Sequence, residues 1–243
     1  MRRLTLLTLL ALLAIPAAAQ AAPTVYAAAS LRAAFPEIDS APTYNFAGSN
    51  QLQRQIESGA PADVFAAASP KEAQALFQAG RCTRPVTFAT NVVVLLVPKG
   101  NPARIDSIYD LNRGDAKRLS VGTAGVPIGD YTRRLLQRMR LSSILTRNTV
   151  SFETNVANVT AKVGLASADA GFAYKTDATV AADRVRAIKI PKWAQPPVRY
   201  QMCAVKRAGA DTAGAQAFIR NVNRKSGRKT LRKWDFGVPP RNR

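Results

Sequence analysis

Apolar positions in this chain fall into short runs, and these alternate with stretches whose apolar residues recur at helical spacing. Residues 25–29 (VYAAA), 44–47, 63–67 (DVFAA) and 91–99 (NVVVLLVPK) read as strands in the first half. The last run is too apolar to keep a wet face, which predicts a central strand covered on both sides. Between these runs, Ser30 opens a helical turn or two over residues 31–35, and Pro36 and Pro42 predict an enclosed loop. Gly48-Ser49 starts a helix with Leu52 and Ile56 one turn apart and Gly59 as its stop, and residues 70–78 predict a helix stopped by Gly80. In the second half, residues 119–122, 170–174 and 198–206 read as strands. A loop over residues 123–129 leads into a helix through Arg138, and Thr154-Asn155 cap a helix carrying Val156, Val159 and Val163. A basic helical segment spans about residues 212–234. Strand–helix alternation predicts an α/β fold with largely parallel sheets, arranged as one large domain or two small ones.

The N-terminus adds a compartment. Arg2 and Arg3 precede an apolar run over residues 4–15, followed by Pro16, alanines and the small-x-small site Ala19-Gln20-Ala21. This pattern predicts a cleaved signal peptide over residues 1–21, because the run is shorter than the roughly 20 residues that span a bilayer. No Cys follows it, so lipid attachment at a new N-terminal Cys is excluded, and the expected product is periplasmic or otherwise extracytoplasmic. Cys82 and Cys203 then lie in an oxidising space, where both one disulfide and two separately buried thiols remain open.

Composition removes most chemistry. The 243 residues carry 35 Lys and Arg against 15 Asp and Glu, a net charge of +20, with no His and two Cys. Without His there is no Ser–His–Asp or Cys–His catalysis and no His-ligated zinc, and two Cys cannot build a four-Cys cluster. No G-x-S-x-G, P-loop or G-x-G-x-x-G is present. An S-x-x-K match at residues 226–229 stands in a basic tail without its companion motifs, and Asp63 before an apolar strand reads as a turn or cap residue. No catalysis, resident metal or cofactor is expected. The basic balance is the usual footprint of nucleic-acid contact, and a secreted protein that binds nucleic acid or an anionic cell-surface polymer is the alternative reading. Export argues against nucleic acid. Nine Lys and Arg lie in residues 220–243 with only Asp235 to oppose them, a solvated helix face by default.

What recurs is a strand end, a small polar loop and a helix start, at Ser30, at Ser49, around Ile128 and at Asn155-Val156. Ligands of open α/β sheets bind beyond the carboxyl ends of strands, and helix N-termini present unpaired N–H groups to anions. Each serine alone is an ordinary N-cap; their repetition raises an anion site. No Asp or Glu adjoins Ser30 or Ser49, and a donor-only pocket suits a fully deprotonated molybdate- or sulfate-type dianion better than a phosphate that keeps a proton. Asp130, the nearest carboxylate, is expected to support the start of its own helix.

Residues 25–31 (VYAAASL), 46–65 (FAGSNQLQRQIESGAPADVF) and 91–100 (NVVVLLVPKG) closely resemble the periplasmic molybdate-binding proteins of ABC importers. Residues 121–131 (VGTAGVPIGDY), 154–159 (TNVANV), 171–178 (GFAYKTDA) and 232–238 (RKWDFGV) continue the likeness in order. The resemblance implies a two-lobed type II periplasmic binding protein, a monomer with two crossing segments and an inter-lobe ligand cleft. Lobe 1 would hold residues 23–98 and 200–243 and lobe 2 residues 99–199, with crossings near residues 98–101 and 195–200. The expected function is capture of molybdate or tungstate and delivery to a membrane permease, with sulfate as the alternative oxyanion. Carried over by position, Ser30 and Ser49 would donate from the first lobe. Ile128 and Val156 would offer backbone N–H groups, and Tyr174 its phenol, from the second. Two departures bear on the cleft: Ile128 stands where the family has a small residue, and the stretch between Ser30 and Phe46 is short, so the first helix is truncated.

Overall fold

The computed structural model describes residues 22–240, so the expected signal peptide, residues 1–21, lies outside the described residues. Ten strands form two mixed five-stranded sheets. The first half runs β1 (Thr24–Ala28), a 3₁₀ turn (Ala29–Leu31), α1 (Ala34–Ile38), β2 (Thr43–Ala47), α2 (Ser49–Glu57), β3 (Val64–Ala67), α3 (Pro70–Gln78) and β4 (Val86–Asn91). It continues through β5 (Val93–Pro98), β6 (Arg118–Gly122), α4 (Pro127–Arg138), α5 (Ile144–Arg147), β7 (Thr149–Glu153), α6 (Val156–Gly164), β8 (Ala170–Tyr174), α7 (Lys175–Val180) and β9 (Val185–Lys189). The chain then returns through β10 (Val198–Ala204) and ends on α8 (Thr212–Asn223) and α9 (Lys225–Lys233).

One sheet has the order β2-β1-β3-β10-β4 and the other β7-β6-β8-β5-β9. Each is parallel where βα units follow one another, as in β1 with β2 and β3, and β6 with β7 and β8. Each turns antiparallel where the chain leaves or rejoins it, at β10 and at β5. The sheets are therefore mixed, because strands bridging two lobes cannot all be fed by right-handed βαβ crossovers.

The expected lobe boundary after residue 98 moves. Residues 91–99 are two strand pieces: Asn91 closes β4 in the first sheet, and β5 pairs with β8 and β9 in the second. The first crossing is thus at Val92, which is 41% exposed, and not near residues 98–101. β5 is buried along its whole length, as its composition predicts, though it lies next to the edge strand β9 and not at the sheet's centre. The chain returns to the first sheet between Gln195 and β10. Gln195 ties the crossings together: its Oε1 accepts from Val93 N at 2.9 Å and its Nε2 donates to Val93 O at 2.8 Å.

Two further expectations change. Pro36 sits inside α1, where its fixed φ is tolerated in a first turn, and not at the edge of a loop. The basic C-terminal segment is two helices broken at the extended residue Arg224. Their apolar faces, with Phe218, Val222 and Leu231 buried, pack onto the first lobe, and most of their cations are exposed. Cys82 and Cys203 are joined in a disulfide inside a small core that includes Leu52, Ile56, Phe65 and Leu76. The larger core runs through the crossings into both lobes. A chain of tilted and edge-on rings marks this path, with Tyr131 6.4 Å from Tyr174, Tyr174 5.8 Å from Tyr200 and Tyr200 6.1 Å from Phe88.

Candidate functional site

Ser30, Ser49, Ile128, Val156 and Tyr174 line one cavity between the lobes. The cavity is small, about 10 Å³. Ala28, Gly48 and Ala68 complete the first-lobe wall, and Val126, Pro127 and Asn155 the second. No lining residue carries a carboxylate.

Local sequence explains how each group arrives. Pro127 occupies the first helical position of α4, where a missing N–H costs nothing, and the next N–H belongs to Ile128. Gly129 lets this helix start press onto the end of β6: a Cβ there would lie 2.1 Å from Thr123 O and 2.3 Å from Gly122 O. Gly122 makes room in turn for the Ile128 side chain, whose Cγ2 would lie 2.7 Å from a Cβ at that position. The bulk that departs from the family pattern is thereby housed against β6. Asn155 caps α6, its side chain accepting from Asn158 N at 3.1 Å, and the N–H of Val156 follows in the first turn. First-turn N–H groups have no carbonyl within their own helix to bond.

The serines do not cap their helices: neither the 3₁₀ turn at Ser30 nor α2 has a side-chain cap bond. Each hydroxyl instead has a hydrogen-bond partner elsewhere in the protein. Ala68 N donates to Ser49 Oγ at 3.0 Å. Tyr200 Oη lies 2.8 Å from Ser30 Oγ, a bond that either hydroxyl can donate, and accepts from Asn91 Nδ2 at 3.5 Å. With an acceptor site of Ser49 filled, its proton is free to point into the cavity. Asn91 also donates to Thr176 Oγ1 at 3.0 Å, so the chain that orients Ser30 begins at the first crossing and touches both lobes.

Tyr174 brings the third hydroxyl. It ends β8, is 1% exposed, and its Oη is buried without a hydrogen-bond partner. Its backbone N–H is held by Asp177 Oδ2 at 3.1 Å, which fixes the turn into α7. Burial raises the pKa of both Tyr174 and Tyr200, so the two phenols stay neutral donors. Burial also pushes Asp177 up to about 7. A buried donor of this kind costs about 1–3 kcal/mol unless something accepts from it.

Asp130 behaves as expected of a helix-start carboxylate: its Oδ1 accepts from Gly125 N at 2.7 Å, and its Oδ2 is 3.4 Å from Lys71 Nζ of the other lobe. Asp63 is structural, accepting from Thr24 N, Arg207 Nη2 and Asp211 N. Among the described residues no group of three or more His, Cys, Asp or Glu is placed to hold a metal ion. Reading the sequence missed Gly48, Ala68, Tyr200 and Asn91. Only Asn91 left a local sign, as the polar residue that opens an apolar run.

Residues 23–237 match the family of bacterial extracellular solute-binding proteins. The molybdate-binding protein ModA of Mycobacterium tuberculosis strain H37Rv is 35% identical over 241 residues, covering 92% of this chain and 90% of that protein. A periplasmic molybdate-binding protein from Azotobacter vinelandii superposes with a TM-score of 0.78 at 18% identity, over 90% of this chain and all of that one. The sulfate-binding protein SubI of M. tuberculosis superposes at 0.73 with 16% identity, over 88% of this chain and 85% of that one. These two likenesses establish the two-lobed α/β architecture and leave the choice of oxyanion to the site. No helix among the described residues is long and apolar enough to cross a membrane. The chain, with its cavity between two lobes, belongs to the bacterial extracellular solute-binding proteins, in the family of the ModA molybdate-binding proteins.

Proposed function

We propose that this chain is an extracytoplasmic, monomeric solute-binding protein of an ABC importer, which captures molybdate or tungstate between its lobes and delivers it to a membrane permease. The observation that carries this reading is that three hydroxyl residues and two helix-start residues line one small cavity without a carboxylate. Ser30 and Ser49 donate from lobe 1; Ile128 N, Val156 N and the Tyr174 hydroxyl donate from lobe 2. The dividing line between lobes runs through Val92 and the segment after Gln195. The N-termini of α2, α4 and α6 each contribute roughly half a positive charge toward the dianion. The oxyanion is cargo; the mechanism requires no cofactor.

Binding and release follow from this division of donors. An anion entering the open cleft meets the donors of one lobe first, and closure brings the others within hydrogen-bond distance and excludes water, which strengthens every contact. A donor-only wall leaves the proton of a monohydrogen phosphate without an acceptor, so a fully ionised dianion is selected. Calorimetric titration with molybdate, tungstate, sulfate and phosphate tests the proposal. Tight molybdate or tungstate binding with no phosphate heat supports it, sulfate binding tighter than molybdate replaces the cargo, and silence toward all four refutes it.

A further inference from the structure

We infer that Gly48 is the stop that sets how far the lobes close, and so the girth of anion that the cleft can grip. This rests on the proposed capture of an oxyanion between lobes. Gly48 has φ −64° and ψ 134°, extended backbone that any residue adopts, so its missing side chain serves no conformational need. What it serves is contact. A Cβ at Gly48 would lie 2.4 Å from the carbonyl oxygen of Thr154, which belongs to the other lobe. The second neighbour, Asn50 Oδ1 at 3.0 Å, is the tip of a side chain that can turn away; the Thr154 oxygen is backbone and cannot.

The contact stands beside two donors. Gly48 immediately precedes Ser49, and Thr154 is two residues before Val156, with only the α6 cap Asn155 between. The distance across this contact therefore sets the distance between a first-lobe donor and a second-lobe donor. Relieving a 2.4 Å clash to an ordinary carbon–oxygen contact needs about 1 Å of lobe separation. A hydrogen bond of about 2.8 Å stretched by that amount is no longer a hydrogen bond. Parting of the lobes would relieve this contact, so the penalty falls on the closed form.

The test compares wild type, Gly48→Ala, Gly48→Val and a control, Gly100→Ala, whose added Cβ meets no atom within 4 Å. Each is measured by molybdate titration, stopped-flow dissociation and thermal unfolding with and without sodium molybdate. Gly48→Ala should unfold at the wild-type temperature without molybdate, bind it at least about tenfold more weakly, and lose that affinity mainly through faster release, since closure follows encounter. Gly48→Val should lose more, and Gly100→Ala nothing. Wild-type affinity in Gly48→Ala overturns the inference. So does a ligand-free Gly48→Ala that is destabilised or fails to fold, because the clash would then exist in the resting form. Wild type that binds no oxyanion refutes the proposed function instead.

Discussion

Replacing Tyr174 with Phe separates binding from folding, because the two effects have opposite signs. The Tyr174 hydroxyl is buried beside the cavity without a protein partner. Its ring is held edge-on between Tyr131 at 6.4 Å and Tyr200 at 5.8 Å, contacts that Phe keeps. A hydrogen bond to a charged ligand contributes about 1.5–3 kcal/mol, so losing it weakens molybdate binding by about ten- to two-hundredfold. The ligand-free protein loses nothing by the change. Removing an unpartnered buried donor leaves stability unchanged or raises it by about 1–3 kcal/mol, which for a chain of this size adds roughly 2–4 °C to Tm per kcal/mol. Calorimetric titration reads the first effect and ligand-free thermal unfolding the second. Wild-type affinity in Tyr174→Phe would refute the ligand role, and a marked fall in ligand-free stability would make Tyr174 a packing residue.

Ser49→Ala should weaken molybdate by a similar factor, because the hydroxyl that Ala68 N orients is lost; titration shows whether it does. Tyr200→Phe keeps every donor that faces the cavity but frees the Ser30 proton to turn elsewhere, so a smaller loss, about tenfold or less, is expected in the same titration. Changing Cys82 and Cys203 together to Ala opens a loop with a sequence separation of 121, which lowers stability by roughly 4–5 kcal/mol in the loop-entropy account. Denaturant unfolding measures that, while affinity should hold because both sulfurs lie in the small core of lobe 1. Asp177 keeps its proton up to about pH 7 in the folded protein and releases it near pH 4 when unfolded. Its contribution to stability is therefore full at low pH and is lost as pH rises from about 4 to 7, by up to about tenfold in the folding equilibrium per pH unit. Asp177→Asn should gain on wild type across that window, and parallel stability–pH curves would refute it.

Local features made most of the elements legible. α3 spans the predicted residues 70–78 because Pro70 can start a helix and Gly80 follows its end, and β8 spans the predicted 170–174. β4, β7 and β9 were not recognised. Their exposed or half-buried positions break the apolar runs that mark a strand, and partners far away in sequence hold them in the sheets. The run at 91–99 misled in another way. Its apolar pattern runs on from the exposed Val92 into β5, and periodicity cannot tell that Asn91 and β5 belong to different sheets.

The sequence by itself determined the chemistry available: no histidine, a bonded or separable pair of cysteines, serines and small residues at helix starts, and a tyrosine closing a strand. Those are properties of residues and their near neighbours, and local physics suffices to read them. Tertiary structure alone decided that Ser30, Ser49, Ile128, Val156 and Tyr174 line one cavity, that the chain passes from one sheet to the other at Val92, and that Ala68 N bonds Ser49 while Tyr200 meets Ser30. It also set the backbone of Thr154 against Gly48. Ser30 and Tyr200 are 170 residues apart, and their 2.8 Å contact exists only because β1 and β10 flank β3 in one sheet. Strand order is fixed by burial summed over the whole chain, and no single segment carries it.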